Sequence, residues 1–224
     1  MNYISHVKST IKTEWLPLVL ILISLGLAVY FQAHFPARVP THWGINGEVN
    51  GHSSKTFGAW FLPILLIGLY LLFLVLPYID PKKEQYSKFS KAYQGIKNLI
   101  LSFLFIIYVF TGLAGLGYDF PVGLILPIGV GLLFVGIGYF IKSVEQNWWV
   151  GVRTPWTLES PTVWKKTNDL MSRMMLVGGV LLAACALPIN DVYKVSLFIA
   201  ALVLIAVVPI VYSYFIYKAE QKKK

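Results

Sequence analysis

The sequence has little charge and almost no cysteine. Only 13% of its 224 residues are charged, about half of the ~25% typical of soluble domains, and this shortage excludes an ordinary soluble fold. The single cysteine, Cys185, has no partner in the chain, which excludes an internal disulfide framework. Its position in an apolar run favours a small buried side chain.

Motifs of common enzymes are also missing. The chain has no Gly-x-Ser-x-Gly, no His-Glu-x-x-His and no Walker loop, so neither an enzyme nor a cofactor is expected. The net charge of +9 would suit nucleic acid. In a chain this apolar, however, cationic loops on the inner face of a membrane explain it better, and no direct nucleic-acid binding is predicted.

Long hydrophobic runs predict an all-α, polytopic protein with six transmembrane helices. Hydrophobic residues make up 57% of the chain, and a helix needs about 20 mainly apolar residues to cross a bilayer. The first run is too long for a signal peptide and lacks a cleavage site, so it is expected to be retained. The predicted spans are Trp15–Ala37, Thr56–Ile79, Asn98–Tyr118, Phe120–Ile141, Met174–Asn190 and Val195–Tyr217.

The distribution of cations predicts the orientation of these spans. Of the 19 lysines and arginines, only Arg38, Lys55 and Lys194 fall in the loops assigned to the outside. The positive-inside rule therefore places both termini in the cytoplasm. We predict two regions: 1–97, with two helices and an ordered extracellular loop (35–57), and 98–224, with four helices and a cytoplasmic loop (142–173).

The span centres contain no Asp, Glu, Lys or Arg, which argues against a proton or ion pathway. Glycine is dense in the third and fourth spans, and we expect these two helices to pack closely against each other. The glycines concerned are Gly112, Gly115, Gly117, Gly129, Gly131, Gly136 and Gly138.

The predicted extracellular loop carries turn signals and three nearby histidines. Its two Asn-Gly pairs, Asn46-Gly47 and Asn50-Gly51, predict tight turns within an ordered hairpin or compact loop. The histidines are His34, His42 and His52. Imidazole suits zinc, but these spacings fit no compact site, so histidines that fix the loop are favoured over a metal site.

The second cytoplasmic loop predicts a basic amphipathic helix. Asp80 and Pro81 are a favourable N-cap and first helical residue. Tyr86, Phe89, Tyr93 and Ile96 follow at helical spacing, and Lys82, Lys83, Lys88 and Lys91 fall mostly on other faces. Anchoring at the anionic inner leaflet is favoured, with a docking site for a cytoplasmic partner as the alternative.

The third polar region reads EQNWWVGVRTPWTLESPTVW, from Glu145 to Trp164. Trp148 and Trp149 fit an interfacial aromatic belt, and Gly151 permits a backbone turn. Ser160 and Pro161 predict the start of a helix. That helix would place Trp164, Asn168, Met171 and Met175 along one side.

Arg153 lies in the middle of this polar region. The sequence leaves three roles open for its guanidinium: binding lipid phosphate, capping a helix C-terminus, or pairing with Glu145 or Asp169.

This third region resembles the signature of the SdpI family, small bacterial membrane proteins named for immunity against a secreted killing peptide. The preceding loop, with PARVPTHWGINGEVNG, is similar to a domain of unknown function that often precedes it, through Pro40, His42, Trp43 and Gly47. The signature positions are Glu145, Gln146, Asn147, Gly151, Arg153, Thr154, Pro155, Trp156, Thr157, Leu158, Val163 and Trp164.

The resemblance implies a multi-pass protein of the bacterial cell membrane with six helices and no catalytic residue. It implies protection from a secreted peptide toxin and toxin-dependent recruitment of a cytoplasmic autorepressor to the membrane. Two alternatives remain: a small-solute transporter or channel, and a membrane enzyme with a metal site at His34, His42 and His52.

Overall fold

The computed structural model describes residues 11–223 and is mostly helical. Its elements, in chain order, are α1 (Ile11–His34), β1 (Arg38–Trp43), β2 (Val49–Ser54), α2 (Lys55–Ile79), a 3-10 helix (Lys83–Ser87), α3 (Ser90–Gly115), α4 (Val122–Ile141), α5 (Pro155–Glu159), α6 (Pro161–Ala184), α7 (Asp191–Leu202), a π-helical turn (Val203–Val207) and α8 (Val208–Gln221).

Local signals set several of these boundaries. Ser54 begins α2, and its hydroxyl accepts a hydrogen bond from the Phe57 N–H at 3.3 Å. Ser160 caps α6 in the same way through the Val163 N–H at 3.2 Å, with Pro161 as the first helical residue. These caps satisfy N–H groups that the first helical turn leaves unpaired, and the predicted start of α6 is confirmed.

The long helices form one bundle with two distinct ends. α3 packs on α1, α2 and α4, while α4 packs most extensively on α6, which in turn contacts α7 and α8. The hairpin end carries β1, β2 and the short link 116–121 between α3 and α4. The loop end carries residues 80–89 and 142–160. The short link makes α3 and α4 antiparallel neighbours.

Five helical segments are long and apolar enough to cross a membrane: Thr13–His34, Lys55–Ile79, Ser90–Gly115, Val122–Ile141 and Asp191–Gln221. They match five of the six predicted spans. α6 does not qualify, because Lys165, Lys166, Asp169 and Arg173 lie in its first half. It ends at Ala184, before the predicted limit at Asn190, so a sixth span stays a prediction.

The described chain begins and ends at the same end of the bundle. Glu14, near the start of α1, contacts Lys97 near the start of α3, and Ser213 of α8 contacts Thr154 in the loop after α4. This arrangement agrees with termini on one side. Which side faces the cytoplasm stays a prediction, and Lys8 and Lys224, counted for it, lie outside the described residues.

The glycines of α3 and α4 pack mainly on helices other than those expected. An added Cβ at Gly112 would meet Phe31 of α1, and one at Gly115 would meet Phe35, which directly follows α1. Gly131 faces the Gly179 backbone of α6, and Gly138 faces Met175 and the Ser172 carbonyl. The prediction that they serve close α3–α4 packing holds for Gly129 and Gly136, which face Phe103 and Leu99 of α3, and is wrong for these others.

The predicted ordered loop between α1 and α2 is an antiparallel β-hairpin. Arg38 pairs with Ser54 and Trp43 with Val49, with irregular register between Pro40 and Trp43. Gly47 has φ +83° and forms the turn, as expected of an Asn-Gly pair. The second pair behaves differently, since Gly51 lies within β2 opposite His42.

The predicted surface helix after Asp80 is wrong. Asp80 ends α2 rather than starting a helix, and the following residues form the 3-10 helix and the first turns of α3. The apolar residues Tyr86, Phe89, Tyr93 and Ile96 are buried inside the protein. Their helical spacing correctly indicated one apolar side, but α4 and α6 cover it instead of lipid.

A buried ion pair joins α1 and α3. Lys97 Nζ lies 2.5 Å from Glu14 Oε2, and both side chains are almost fully buried. The ammonium group also lies 5.8 Å from the centre of the Tyr70 ring. Glu14 and Lys97 directly precede the first and third predicted spans. The boundary predicted at 97/98 thus falls within one continuous helix, α3, whose first turns hold the N-terminal helix in place.

Candidate functional site

Residues 142–160, which we call the motif loop, connect α4 to α6 at the loop end of the bundle. Trp164 fixes this connection from the first turn of α6. Its ring is 2% exposed, and its Nε1–H donates to the Val144 carbonyl at 2.9 Å. The end of α4 and the start of α6 are therefore held together by one buried side chain.

Asn147 folds the first part of the motif loop. Its side chain is fully buried, and its amide donates to the Glu145 and Val150 carbonyls, both at 2.8 Å. Its carbonyl oxygen accepts from the N–H groups of Trp149 and Val150 at 2.8 and 2.7 Å. Four hydrogen bonds to the backbone make this residue the centre of a turn, because buried polar groups need partners.

Gly151 allows the motif loop to lie against α6. Its φ is +122°, a conformation that favours glycine. A Cβ at this position would lie 2.8 Å from Asn168 Oδ1 and 2.9 Å from the Trp164 ring. Asn168 Oδ1 accepts from the Val152 N–H at 3.1 Å. The predicted face of α6 thus receives the loop backbone.

Thr154 and Thr157 form a reciprocal capping box for the short helix α5. The Thr157 N–H donates to Thr154 Oγ1 at 3.2 Å, and the Thr154 N–H donates to Thr157 Oγ1 at 2.8 Å. Pro155 follows as the first helical residue. Thr154 Oγ1 also lies 3.1 Å from Ser213 Oγ, so the box contacts α8.

Trp156 of α5 adds an aromatic contact to α8. Its ring packs edge-on against Tyr214, with centroids 5.1 Å apart. This contact also attaches the motif loop to α8.

Asp80 and Gln146 connect the motif loop to the N-terminal half. The Asp80 carboxylate is buried and accepts from the Trp148 N–H at 3.0 Å, the Tyr86 hydroxyl at 2.9 Å and the Lys82 N–H at 2.7 Å. Gln146 donates to the Thr157 and Leu158 carbonyls, and its oxygen accepts from Lys82 Nζ. The two predicted regions therefore meet in one polar network.

Burial raises the pKa of Tyr86, and the hydrogen bond to the Asp80 carboxylate adds to the rise. The hydroxyl thus stays protonated as a donor over the whole physiological range. Sequence patterns did not point to this network, because Asp80 and Trp148 are 68 residues apart.

Arg153 does not form the ion pair with Glu145 or Asp169 that the sequence left open. Its Nη1–H donates to the Trp148 carbonyl at 2.9 Å. Asp169 pairs instead with Lys165 at 2.9 Å, and no ion pair to Glu145 occurs within residues 11–223. The guanidinium therefore braces the motif loop from its exposed side.

The signature residues fall into two sets according to exposure. Asn147, Thr154 and Thr157 are buried and build the motif loop. Glu145 and Arg153 are exposed, as are the adjacent Trp148 and Trp149. The exposed four form the part of the motif loop that a lipid headgroup or a protein partner can contact.

The three hairpin-side histidines have separate surroundings. His34 Nδ1 lies 2.8 Å from the Tyr30 carbonyl, and its ring stacks on Tyr30 with centroids 4.1 Å apart. His42 Nδ1 lies 2.5 Å from Asn50 Oδ1, while His52 pairs with Pro40 across the hairpin. Among the described residues no group of three or more His, Cys, Asp or Glu is placed to hold a metal ion.

Comparison with known proteins agrees with this geometry. The model of the SdpI/YfhL protein family matches residues 143–213, and that of a domain of unknown function, DUF1648, matches residues 19–67. The chain is 28% identical to "Immunity protein SdpI" of Bacillus subtilis (strain 168) over 207 residues, which cover 92% of this chain and 97% of that protein. No solved structure matches the chain.

The resemblance to the SdpI family, and to the domain that precedes its signature, is thereby confirmed. The first matched segment contains most of the motif loop together with α6, α7 and the first part of α8. The second contains most of α1, the hairpin and half of α2. With five apolar helices of sufficient length, the chain is a multi-pass protein of the cell membrane.

Proposed function

We propose that this membrane protein, which resembles an SdpI immunity protein along nearly its whole length, is an immunity protein that protects its cell from a secreted antimicrobial peptide. The observation that carries the proposal is the similarity to an immunity protein over 92% of this chain. Asp80 ends α2, a helix that begins within residues 19–67, and contacts Trp148 within residues 143–213. This contact supports the two matched segments acting as one unit.

The proposal assigns the hairpin end to the outside of the cell. The cation distribution supports this assignment. Cys185 is the only cysteine, so a Cys185→Ser background allows single cysteines to be placed at Glu48 in the hairpin turn and at Glu145 in the motif loop. A membrane-impermeant maleimide applied to intact cells should label Glu48→Cys and spare Glu145→Cys. Labelling of Glu145→Cys alone would reverse the orientation.

The proposal includes signalling from the hairpin to the motif loop. For such coupling the peptide must bind two states of the protein with different affinity. α2 offers a direct route, since it begins at the hairpin and ends at Asp80, which holds Trp148. A second route runs through α3, α4 and α6, which pack in series.

The exposed part of the motif loop is the proposed contact for a cytoplasmic autorepressor. Trp148 and Trp149 are both partly exposed beside Arg153. Aromatic and arginine side chains are enriched at binding hot spots. An arginine that only sets the membrane orientation would not need exposed tryptophans beside it. This surface therefore suits a protein partner.

The protective function is tested by deleting the gene and challenging the cells with a secreted killing peptide. The peptide is the one against which the namesake of the SdpI family gives immunity. Deletion should increase sensitivity, and expression from a plasmid should restore resistance. Unchanged sensitivity would contradict the proposal. Solute flux in liposomes that survives Arg153→Ala and changes in the hairpin would instead favour the transporter or channel.

A further inference from the structure

A cavity lies at the hairpin end, between the hairpin and the helices α2, α3 and α4. Its volume is about 620 Å³, within the usual range for ligand pockets, ~300–1,000 Å³. The motif loop lies at the opposite end of the bundle, so this cavity is separate from it. None of the residues used above to build the motif loop lines the cavity.

α2 and α4 both pack on α3, and the cavity lies between these helices at the hairpin end. Thr111 and Phe110 of α3 line it, as do Phe57 and Phe61 of α2. These two phenylalanines are stacked with centroids 4.6 Å apart and remain nearly half exposed. The walls formed by the helices are thus largely aromatic and apolar.

The hairpin forms one wall of this cavity. Residues Val39 to Trp43 of β1 line it. The turn at Gly47 reaches the start of α4, where a Cβ on Gly47 would lie 3.0 Å from the Gly123 nitrogen. Gly47 also has φ +83°, so a side chain here would be both strained and crowded against backbone atoms. A Cβ on Gly123 would lie 3.5 Å from the Gly47 Cα, an ordinary contact distance. The hairpin therefore bridges α2 and α4.

The hairpin wall carries polar groups. Thr41 and Ser53 line the cavity, with their Oγ atoms 3.1 Å apart, and His42 lines it beside Asn50. A ligand in this position would meet aromatic carbon from the helices and hydroxyl and imidazole groups from the hairpin. Such a site suits a molecule that is apolar on one side and polar on the other.

We propose that this cavity, here called the hairpin pocket, binds the apolar side of an amphipathic peptide at the outer face of the membrane. The inference rests on the proposed immunity function and names the surface through which the peptide is recognised. Aromatic walls supply large apolar contact areas without charged groups that a peptide would have to desolvate.

A phospholipid fits the hairpin pocket less well. Its phosphate needs a cationic or hydrogen-bonding partner, and no lysine or arginine of the described residues lines the pocket. The lining and the proposed immunity function together favour the peptide.

Filling the hairpin pocket tests the inference. We expect Thr111→Trp to weaken binding of the fluorescently labelled killing peptide to protein in nanodiscs by about tenfold or more, equivalent to 1.4 kcal/mol, and to lower protection in cells. Leu132→Trp is the matched control, because Leu132 is 64% exposed on α4 and does not line the pocket. It should leave both measurements unchanged.

A reversible block separates loss of binding from misfolding. In the Cys185→Ser background, Thr111→Cys modified with a benzyl methanethiosulfonate should lose peptide binding and recover it on reduction of the mixed disulfide. Normal binding by the blocked protein would overturn the pocket assignment while leaving immunity intact. Absence of peptide binding and of protection in the wild type would overturn both proposals.

Native mass spectrometry addresses the lipid alternative. One phospholipid retained by the wild type and lost from Thr111→Trp, with unchanged peptide binding, would make the pocket a lipid site and contradict the inference. Retention of equal lipid by both variants, with peptide binding lost only in Thr111→Trp, would support the peptide assignment.

Discussion

Asp80 at the end of α2 accepts a hydrogen bond from the backbone N–H of Trp148 in the motif loop, at 3.0 Å. The same carboxylate holds Tyr86 and the Lys82 N–H. One buried side chain thus joins the helix that leaves the hairpin to the exposed tryptophans at the opposite end of the bundle.

Asp80→Asn should loosen the motif loop without preventing membrane insertion. The amide retains one acceptor oxygen and presents an N–H₂ group where the carboxylate accepted, so at least one hydrogen bond to a charged group, worth about 1.5–3 kcal/mol, is lost. Hydrogen exchange at residues 147–150 should accelerate. Glu84→Gln, at an exposed site in the same segment, should leave exchange unchanged. Equal exchange in both variants would refute the anchoring role.

Gly151→Ala should destabilise the protein by about 1–3 kcal/mol, because a non-glycine residue in a rare backbone region is strained and its Cβ would lie 2.8 Å from Asn168 Oδ1. Thermal unfolding in detergent measures the effect. Gly26→Ala is the control, since no atom lies within 4 Å of its added Cβ. If both substitutions shift the midpoint equally, the argument from backbone conformation fails.

Breaking the ion pair between Glu14 and Lys97 should be costly from either side. Glu14→Gln or Lys97→Met leaves a buried charge without its partner, a loss of about 3–5 kcal/mol, whereas removing both charges is often near neutral. The double variant should therefore be more stable than either single one. A thermal-unfolding cycle measures the coupling, and additive losses would show that the pair is not coupled.

Arg153→Lys should abolish toxin-dependent signalling while leaving the protein inserted. The lysine keeps the charge but lacks the planar guanidinium that reaches the Trp148 carbonyl. A reporter controlled by the autorepressor measures signalling, and a membrane fraction blot measures insertion. Arg173→Lys, at an exposed position of α6, serves as the control. If signalling persists in Arg153→Lys, the only role left for Arg153 is that of a positive charge that sets the membrane orientation.

Local patterns predicted the start of α6 and the face formed by Trp164 and Asn168, because a cap and a helical repeat are encoded by neighbouring residues. They predicted only that Tyr86 and Tyr93 share an apolar side. The prediction that lipid covers this side was wrong, because α4 and α6 cover it instead. These helices lie far along the chain, so the local pattern could not identify them. Glycine density likewise predicted close packing without identifying the partner helix.

The connections at the loop end required the structure. The contact from Asp80 to Trp148 and that from Thr154 to Ser213 join residues 68 and 59 positions apart, and a single sequence gives no signal for such pairs. The signature resemblance selected the right loop, but it did not separate the residues that build the loop from those on its exposed surface.

The meeting of Gly47 and Gly123 has a mechanical consequence. Within residues 11–223 no hydrogen bond or ion pair joins the hairpin turn to α4, so these two elements are held there by van der Waals contact alone. At its base the hairpin is fixed by the Lys55 N–H bond to the Ala37 carbonyl and by buried Val39. The turn is therefore the least firmly held part of the hairpin. Separating it from α4 should need less energy than breaking the hydrogen bonds between β1 and β2.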